Sequence, residues 1–204
     1  MKGTLHIVIF CCAVLSALMG NAQLLSPEAL DTMPVFRNLD DAVKNPDQVY
    51  RLDLSKHKLA VIPEEIWSMK NLNELILDKN RITFISDQIQ NLNYLQIFSA
   101  QHNEIEKLPA NLKQLKNLRE LDLADNLISS IPDDIDELKQ LEVLALWDNP
   151  IEYYPESLSD LPHLKVLDLL HNQISTDTQQ RLKSNLPEVK VIMSPPCSCQ
   201  DGND

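Results

Sequence analysis

The stretch "LRELDLADNLISSIPDDIDELKQ", residues 118–140, decides the fold. Its leucines at positions 118, 121 and 123 precede Asn126, and isoleucines follow at positions 128, 131 and 135. This order matches neither the 3.6-residue period of an amphipathic helix nor the alternation of a long strand. In "LDL" the two leucines lie two residues apart, so both point to the same face of a short strand. The stretch therefore predicts a short strand followed by a turn at the asparagine.

The pattern recurs every 23 residues along most of the chain. Counting from Asn126 in steps of 23 reaches four further asparagines, and one more step back reaches His57. The apolar position five residues before the asparagine recurs with it as Leu52, Leu75, Phe98, Leu121, Leu144 and Leu167. Six copies of constant length, without an insertion, indicate a solenoid built from stacked repeats.

The repeat LxxLxLxxNxLxxIPxxIxxLxx resembles the leucine-rich repeat, and the resemblance covers about Val49 to Asn185. The resemblance implies an α/β solenoid: a right-handed horseshoe with a parallel β-sheet on its concave face. It also implies an N-terminal helical cap and a C-terminal cap of a helix and a strand. The motif is highly specific for the fold, but the family is a scaffold shared by proteins with many different partners.

The asparagine positions have a physical explanation that does not depend on the resemblance. An asparagine amide both donates and accepts, so stacked asparagines can bond backbone groups of neighbouring turns that are otherwise buried without partners. We expect a structural ladder of Asn80, Asn103, Asn126, Asn149 and Asn172. His57 takes the asparagine position in the first repeat, where only one side of the turn has a neighbour.

The chain divides into five predicted segments. Residues 1–22 have one lysine, an apolar run of about 14 residues and a small-residue end, which is typical of a secretory signal peptide. The run is shorter than the roughly 20 residues of a spanning helix, although an uncleaved N-terminal membrane anchor is the alternative. Residues 23–48 are the predicted N-terminal helical cap, residues 49–185 the six repeats, 186–194 a capping strand and 195–204 a flexible tail.

Both caps have recognisable sequence signals. "FRNLDDAVKNPDQ", residues 36–48, has apolar residues at helical spacing and predicts a helix that covers the first repeat. At the other end, "STDTQQRLKSN" predicts a helix with Ser175 or Thr176 as its N-cap. The disulfide-bonded caps of animal and plant extracellular members are missing, and the mature chain has no Asn-x-Ser/Thr sequon. These absences favour an exported bacterial protein, secreted or periplasmic.

Charge and composition argue against several kinds of function. The formal net charge is −12, and removing residues 1–22 removes Lys2 and leaves −12 − 1 = −13, which disfavours nucleic acid and anionic lipid as partners. The three glycines, Gly3, Gly20 and Gly202, lie outside the repeats, so phosphate-binding loops and nucleophile elbows are excluded. Only Cys197 and Cys199 remain after cleavage, and they are too few for a zinc site. We therefore expect no metal and no cofactor.

An enzyme is the alternative from a different functional class. Asp122, Asp125, Asp148 and Asp168 lie on neighbouring turns of the predicted concave face, where paired carboxylates could act on a glycan or a peptide. Such chemistry also needs a pocket that raises the pKa of one carboxyl, and we expect a regular sheet to supply none. The histidines show no metal-binding spacing and are expected to be exposed polar residues.

The outward strand positions predict a binding surface on repeats five and six. Five apolar residues should form a patch with a polar rim, as in protein-binding hot spots. The predicted partner-binding residues are Val143, Ala145, Trp147, Val166 and Leu170 in the patch, with Asp148, Asp168 and His171 in the rim. Alternatively, Trp147 folds over its own neighbours or is covered by the C-terminal tail.

The leading hypothesis is a non-enzymatic module that binds a partner protein through the concave face of repeats five and six. If the N-terminus is not a signal, an intracellular scaffold is the alternative.

Overall fold

The computed structural model describes residues 23–195. The predicted signal peptide, Cys197, Cys199 and nearly all of the predicted tail therefore lie outside the described residues. Within the described range, eight strands form one parallel sheet whose spatial order follows the chain. They are β1 (Val35–Phe36), β2 (Arg51–Asp53), β3 (Glu74–Ile76), β4 (Ile97–Ser99), β5 (Glu120–Asp122), β6 (Val143–Ala145), β7 (Val166–Leu169) and β8 (Lys190–Met193). The predicted α/β solenoid architecture is confirmed.

The register of the sheet follows the sequence period. Each residue of β2 to β6 pairs with the residue 23 positions later, as in Leu121 with Leu144. The central residue of each strand points into the core and is fully buried: Leu52, Leu75, Phe98, Leu121, Leu144 and Leu167. The flanking strand residues point to the other side of the sheet, which we call the open face.

Short 3₁₀ helices form the opposite wall of the core. They span Glu64–Ser68, Asp87–Asn91, Ala110–Gln114, Ile135–Glu137 and Glu156–Asp160. Pro63, Pro109 and Pro155 precede three of them, where the fixed φ of proline suits a helix start. In the second repeat Ser86 takes this place, and its hydroxyl accepts a hydrogen bond from the Gln88 N–H. Each segment buries at least one aliphatic side chain against the strands.

The five asparagines form a continuous hydrogen-bonded ladder. The Asn126 Oδ1 accepts from the Ile105 N–H at 3.0 Å, and its Nδ2 donates to the carbonyls of Ala100 and Leu123, both at 3.0 Å. The other four asparagines repeat these contacts with the preceding turn. The ladder therefore supplies partners for backbone groups at the centre of the stack.

The residue before each ladder asparagine, and Lys56 before His57, has a left-handed backbone conformation. The φ values lie between 51° and 62° at Lys56, Lys79, His102, Asp125, Asp148 and His171. This conformation costs about 1–2 kcal/mol in a residue with a Cβ, and no glycine is present to avoid the cost. The turn that it produces is the one that lets the following asparagine reach the neighbouring backbone. It also brings the side chains at this position together at one edge of the open face.

The N-terminal cap differs from the prediction. A single helix over residues 36–48 is wrong: α1 (Pro27–Asp31) and α2 (Leu39–Ala42) are short, and β1 lies between them. Phe36 is extended because β1 pairs with the exposed edge of the first repeat, with Phe36 opposite Leu52. Helix α2 begins after its N-cap Asn38, and the chain leaves helical geometry at Asn45, the residue before Pro46.

The C-terminal end has one longer helix and an edge strand. Helix α3 (Thr176–Asn185) begins after Ser175, whose hydroxyl accepts from the Thr178 N–H at 3.2 Å. It buries Leu182 against the last repeat. Strand β8 pairs with β7 and ends the sheet. No helix among residues 23–195 has the length and apolar character needed to cross a membrane.

Candidate binding face

The predicted partner-binding residues lie side by side on the open face. Val143 pairs in register with Val166, and Ala145 pairs with Asp168. The apolar members, Val143, Ala145, Trp147, Val166 and Leu170, are all partly exposed, and we call them the β6–β7 patch. In the rim, Asp148 and His171 are exposed and Asp168 is partly exposed. The patch is thus a shallow, half-buried surface, less exposed than the sequence pattern alone suggested.

Trp147 lies back across the preceding repeat. Its ring meets the His102 ring edge-on, with centroids 5.9 Å apart and an interplanar angle of 79°. His102 belongs to the third repeat and Trp147 to the fifth, and strands are about 4.8 Å apart, so the indole has to cross the fourth repeat to make this contact. Ala124 occupies the intervening outward position and is fully buried. Its burial agrees with an indole that lies across this repeat.

His102 is held from two sides. Its Nδ1 pairs with the Asp125 Oδ2, and its ring packs against Trp147. His57, His163 and His171 are exposed, as expected of polar surface residues, but His102 is only partly exposed. The left-handed turns at His102 and Asp125 place these two side chains on adjacent turns, where they can meet.

Buried carboxyls occur on the open face in the middle of the sheet. Asp78 accepts hydrogen bonds from the Ser99 hydroxyl at 2.6 Å and the Gln101 N–H at 3.2 Å. Asp122 accepts from the Gln101 side-chain amide and the Ala124 N–H, both at 3.1 Å. Burial raises the pKa of both carboxyls despite these bonds. The pKa of a carboxyl is therefore raised on the sheet itself, whereas the sequence led us to expect this only for a carboxyl in a pocket.

Glu120 is a third carboxyl with a raised pKa. The Glu120 side chain is exposed, but the surrounding sheet desolvates its carboxyl in part, which is the main cause, and the charges of Asp122 and Glu74 add to it. Unlike Asp78 and Asp122, Glu120 has no hydrogen-bond or ion-pair partner among residues 23–195. Its side chain stands at the start of β5, at the opposite edge of the open face from His102.

The N-terminal segment Gln23–Met33, which we call the strap, crosses the starts of the strands. The Leu25 N–H donates to the Asn73 Oδ1 at 3.0 Å, and the Gln96 side-chain amide donates to the Leu25 carbonyl at 2.8 Å. Leu25 and Leu30 pack with Tyr50 in a small cluster separate from the main core, and Ile97 of the open face packs against it. The strap therefore covers one edge of the open face over β2 to β4.

Sequence reasoning missed the strap because its residues are not periodic. One signal was present at the position seven residues before each ladder asparagine. This position is charged in the later repeats, as Arg119, Glu142 and Lys165, but carries uncharged amides at Asn73 and Gln96. Those two amides are the ones that bind the strap backbone.

A groove of about 250 Å³ separates helix α1 from the β6–β7 patch. Leu30, Ile97 and Val143 form its apolar lining, and its polar lining includes Asp31, Glu120, Arg119 and Glu142. Arg119 pairs with Glu142, and Glu142 also pairs with Lys165. Hydrogen bonds from Lys165 and then Arg119 hold the pKa of Glu142 below its usual range. Val143 belongs to both the groove and the β6–β7 patch, so the two surfaces are continuous.

In the stretch from residue 23 to residue 195, no cluster of three or more histidine, cysteine, aspartate or glutamate side chains is placed to hold a metal ion. The open face instead offers apolar side chains, fixed aromatic rings and carboxylates on a rigid hydrogen-bonded sheet. Such a surface suits an extended or folded macromolecular partner.

Comparison with known proteins gives a consistent picture. A family model described as "Leucine-rich repeat region" matches residues 48–199. A search of curated proteins with this sequence returns no match.

Several solved structures share the fold. A leucine-rich repeat protein of Leptospira interrogans is 28% identical, with a TM-score of 0.64, over 80% of this chain and 48% of that one. The plant peptide hormone receptor RGFR1, solved in complex with RGF2, is 31% identical, with a TM-score of 0.60, over 70% of this chain and 24% of that one. An internalin of Listeria monocytogenes, with 24% identity and a TM-score of 0.63 over 74% of this chain and 42% of that one, shares the fold alone.

This chain spans less than half the length of each of these three proteins. The family match nevertheless covers well over half of the chain, and it agrees with the asparagine ladder and the parallel sheet. The chain belongs to the leucine-rich repeat family.

Proposed function

We propose that this protein is a non-enzymatic module that binds a partner protein on the open face of its sheet, mainly through repeats five and six. The observation that carries the proposal is the β6–β7 patch with its rim of Asp148, Asp168 and His171. It combines partly exposed aliphatic side chains with an aromatic ring, and charged groups surround it. Protein-binding hot spots share this composition of an apolar centre and a polar rim.

The rigidity of the surface supports the proposal. The indole of Trp147 is packed against His102, and the backbone beneath it is held by the asparagine ladder. A side chain that is ordered before binding loses less entropy when the partner arrives. The patch therefore combines apolar area with a low ordering cost.

The comparisons add context for the partner. The structure of RGFR1 was solved in complex with RGF2, and the similar Arabidopsis thaliana receptor kinase ectodomain GASSHO1/SCHENGEN3 in complex with Casparian strip integrity factor 2. Both are longer proteins: this chain spans 24% of the RGFR1 chain and 17% of the GASSHO1/SCHENGEN3 chain. They support a protein or peptide partner as the class to test first.

Capture from the native cell envelope and medium tests the proposal. The chain from Gln23 onward is compared with a Trp147→Asp/Val166→Asp variant, and retained proteins are identified by mass spectrometry. The matched control is Phe84→Asp/Leu127→Asp, because Phe84 and Leu127 are 53% and 51% exposed and lie in the turns after the strands. We expect a partner retained by the native chain and the control but lost from the patch variant. Equal retention by all three would refute the patch as the binding site.

Export is part of the proposal. The first 22 residues have the pattern of a cleaved signal, and the similarity to the ectodomain of the membrane receptor kinase GASSHO1/SCHENGEN3 supports an extracytoplasmic setting. N-terminal sequencing of the native protein should find Gln23 as the first residue. An intact Met1 in a cytosolic fraction would instead support the intracellular scaffold.

One specific observation supports the alternative that this protein is an enzyme, namely the raised pKa values of carboxyls on the open face. Asp122 and Glu120 have environments that favour a protonated acid more than solvent does. Turnover of a glycan or peptide substrate that disappears in Asp122→Asn or Asp168→Asn would establish this alternative. We favour binding because Asp122 is engaged by Gln101 and by its own turn.

A further inference from the structure

The groove beside helix α1 presents a row of three side chains in a fixed order. Ile97 pairs in register with Glu120, and Glu120 pairs with Val143, so the three lie in a line across the strands. Leu30 of the strap closes the Ile97 end, and Val166 continues the line beyond Val143. Along the direction in which the repeats stack, the side chains of this row are therefore apolar, then acidic, then apolar.

Three glutamates lie at or just before these strand starts, and Glu120 is the one that has no ion-pair partner among residues 23–195. Glu74 pairs with Arg51 at 2.7 Å, and Glu142 pairs with Arg119 and Lys165. No cation among residues 23–195 is paired with Glu120, and its nearest charged influences are carboxylates. An incoming cation at this point would relieve repulsion from Asp122 and Glu74 and would favour the ionised form of Glu120.

We propose that the groove takes a lysine or arginine side chain from an extended segment of the partner protein, with the charged head on Glu120. Apolar residues two positions before and after this basic residue point to the same side of the extended segment and rest beside Ile97 and Val143. The proposal deepens the proposed function and rests on it, because the same partner would continue onto the β6–β7 patch through Val143.

The dimensions and charge of the groove agree with this occupant. Ile97 and Val143 are separated by two strand spacings, about 10 Å, and same-side residues of an extended chain recur about every 7 Å, so a basic residue and its same-side neighbours cover this row. At about 250 Å³ the groove is smaller than the roughly 300–1,000 Å³ pockets that enclose whole small molecules, and it suits a side chain. The formal charge of −12 favours a basic partner segment over an acidic one.

Synthetic peptides test the inference directly. Each fluorescein-labelled peptide has valine two residues before and two residues after a central lysine, arginine, glutamine or glutamate, and binding to the chain from Gln23 onward is measured by fluorescence anisotropy. We expect the lysine and arginine peptides to bind about tenfold more tightly than the glutamine peptide, and the glutamate peptide to bind most weakly. Raising the salt concentration should reduce the difference.

The decisive variant is Glu120→Gln, which keeps the side-chain shape and removes the charge. It should bring the lysine-to-glutamine affinity ratio close to one. The matched control is Glu104→Gln, because Glu104 is exposed and lies in the turn after Asn103, away from the groove. A ratio near one in the native chain, or a ratio that persists in Glu120→Gln, would overturn the inference.

Failure of this inference can be separated from failure of the proposed function. If all four peptides bind equally and the Trp147→Asp/Val166→Asp variant binds none, the patch is a binding site and the basic preference is refuted. If no peptide binds, the inference is overturned, while capture of a partner by the native chain decides the proposed function independently. If sedimentation shows a dimer that Glu120→Gln converts to a monomer, a second copy occupies the groove and the inference is overturned.

Discussion

The indole of Trp147 meets the imidazole of His102 edge-on, with ring centroids 5.9 Å apart, although the two residues belong to repeats that are not adjacent. The contact connects the apolar patch on repeats five and six to the left-handed turn of repeat three. His102 is in turn paired with Asp125 on the next turn. The indole at the centre of the β6–β7 patch is therefore positioned by residues outside that patch.

Replacing His102 with alanine should release the indole. We expect the Nε1–H resonance of Trp147 to shift and broaden in ¹H–¹⁵N spectra, and the free energy of unfolding to fall by about 1 kcal/mol, as for other aromatic pairs. His171→Ala is the control, because His171 occupies the same repeat position but is exposed. An unchanged Trp147 resonance in His102→Ala would contradict this account of how the patch is ordered.

Replacing Asn126 with alanine should destabilise the solenoid. The change leaves the buried Ile105 N–H without its acceptor, while the Ala100 and Leu123 carbonyls each keep one of their two asparagine donors. Because an unsatisfied buried group costs about 1–3 kcal/mol, we expect a loss of about that size in urea denaturation. His57→Ala, at the exposed first position of the series, should change the free energy of unfolding by less than about 0.5 kcal/mol. Similar losses for the two variants would argue against a special role for the ladder.

Asp78→Asn and Asp122→Asn should stabilise the protein at neutral pH. Burial raises the pKa of both carboxyls in the folded chain, so the folded state binds more protons than the unfolded state between the unfolded pKa, about 3.9, and the raised folded pKa. The contribution of each group to stability therefore becomes less favourable as the pH rises through that window.

The advantage of each asparagine variant over the native chain should be largest near neutral pH and should vanish below about pH 3, where the native carboxyls are protonated. Urea denaturation across this range measures it. Asp160→Asn, on an exposed side chain in the last 3₁₀ helix and outside the open face, serves as the control for a simple change of net charge. A constant advantage at every pH would rule out proton linkage at Asp78 and Asp122.

Asn73→Ala should loosen the strap while leaving the sheet intact. The change removes the acceptor of the Leu25 N–H and a partner of the Gln96 amide. Hydrogen exchange should accelerate at Leu25 and its neighbours in the strap, with little change in β5 to β7. The control is Asn117→Ala. Asn117 lies two repeats after Asn73, and its side-chain amide donates to the exposed Asn93 carbonyl. Unchanged exchange at Leu25 would mean that apolar packing alone holds the strap.

The repeated part of the fold was predictable because each repeat solves the same physical problem. Leu121 must face the core, and Asn126 must satisfy buried backbone groups, so both recur at a fixed interval whatever the surface residues are. The strap was not predictable by the same reasoning. Leu25 meets Asn73 and Gln96 through contacts that occur once in the chain and leave no period.

The binding face was predictable in its residues but not in its side-chain geometry. The strand positions of Val143 and Val166 follow directly from the period, and the structure places them as register partners. The direction of the Trp147 ring depends on a rotamer and on the neighbouring His102, neither of which a repeat pattern specifies. The raised pKa of Glu120 likewise depends on partial desolvation by the surrounding sheet and on its acidic neighbours across the sheet.

Site-specific photocrosslinking tests the proposed binding face most directly. A benzophenone amino acid replaces Val166 in one variant and Phe84 in another, and each is irradiated with the native cell envelope and medium. Our account predicts a crosslinked partner from position 166 and none from position 84, since only the former lies on the open face. Crosslinking from position 84 alone, or equally from both positions, would contradict the assignment of the open face as the binding surface.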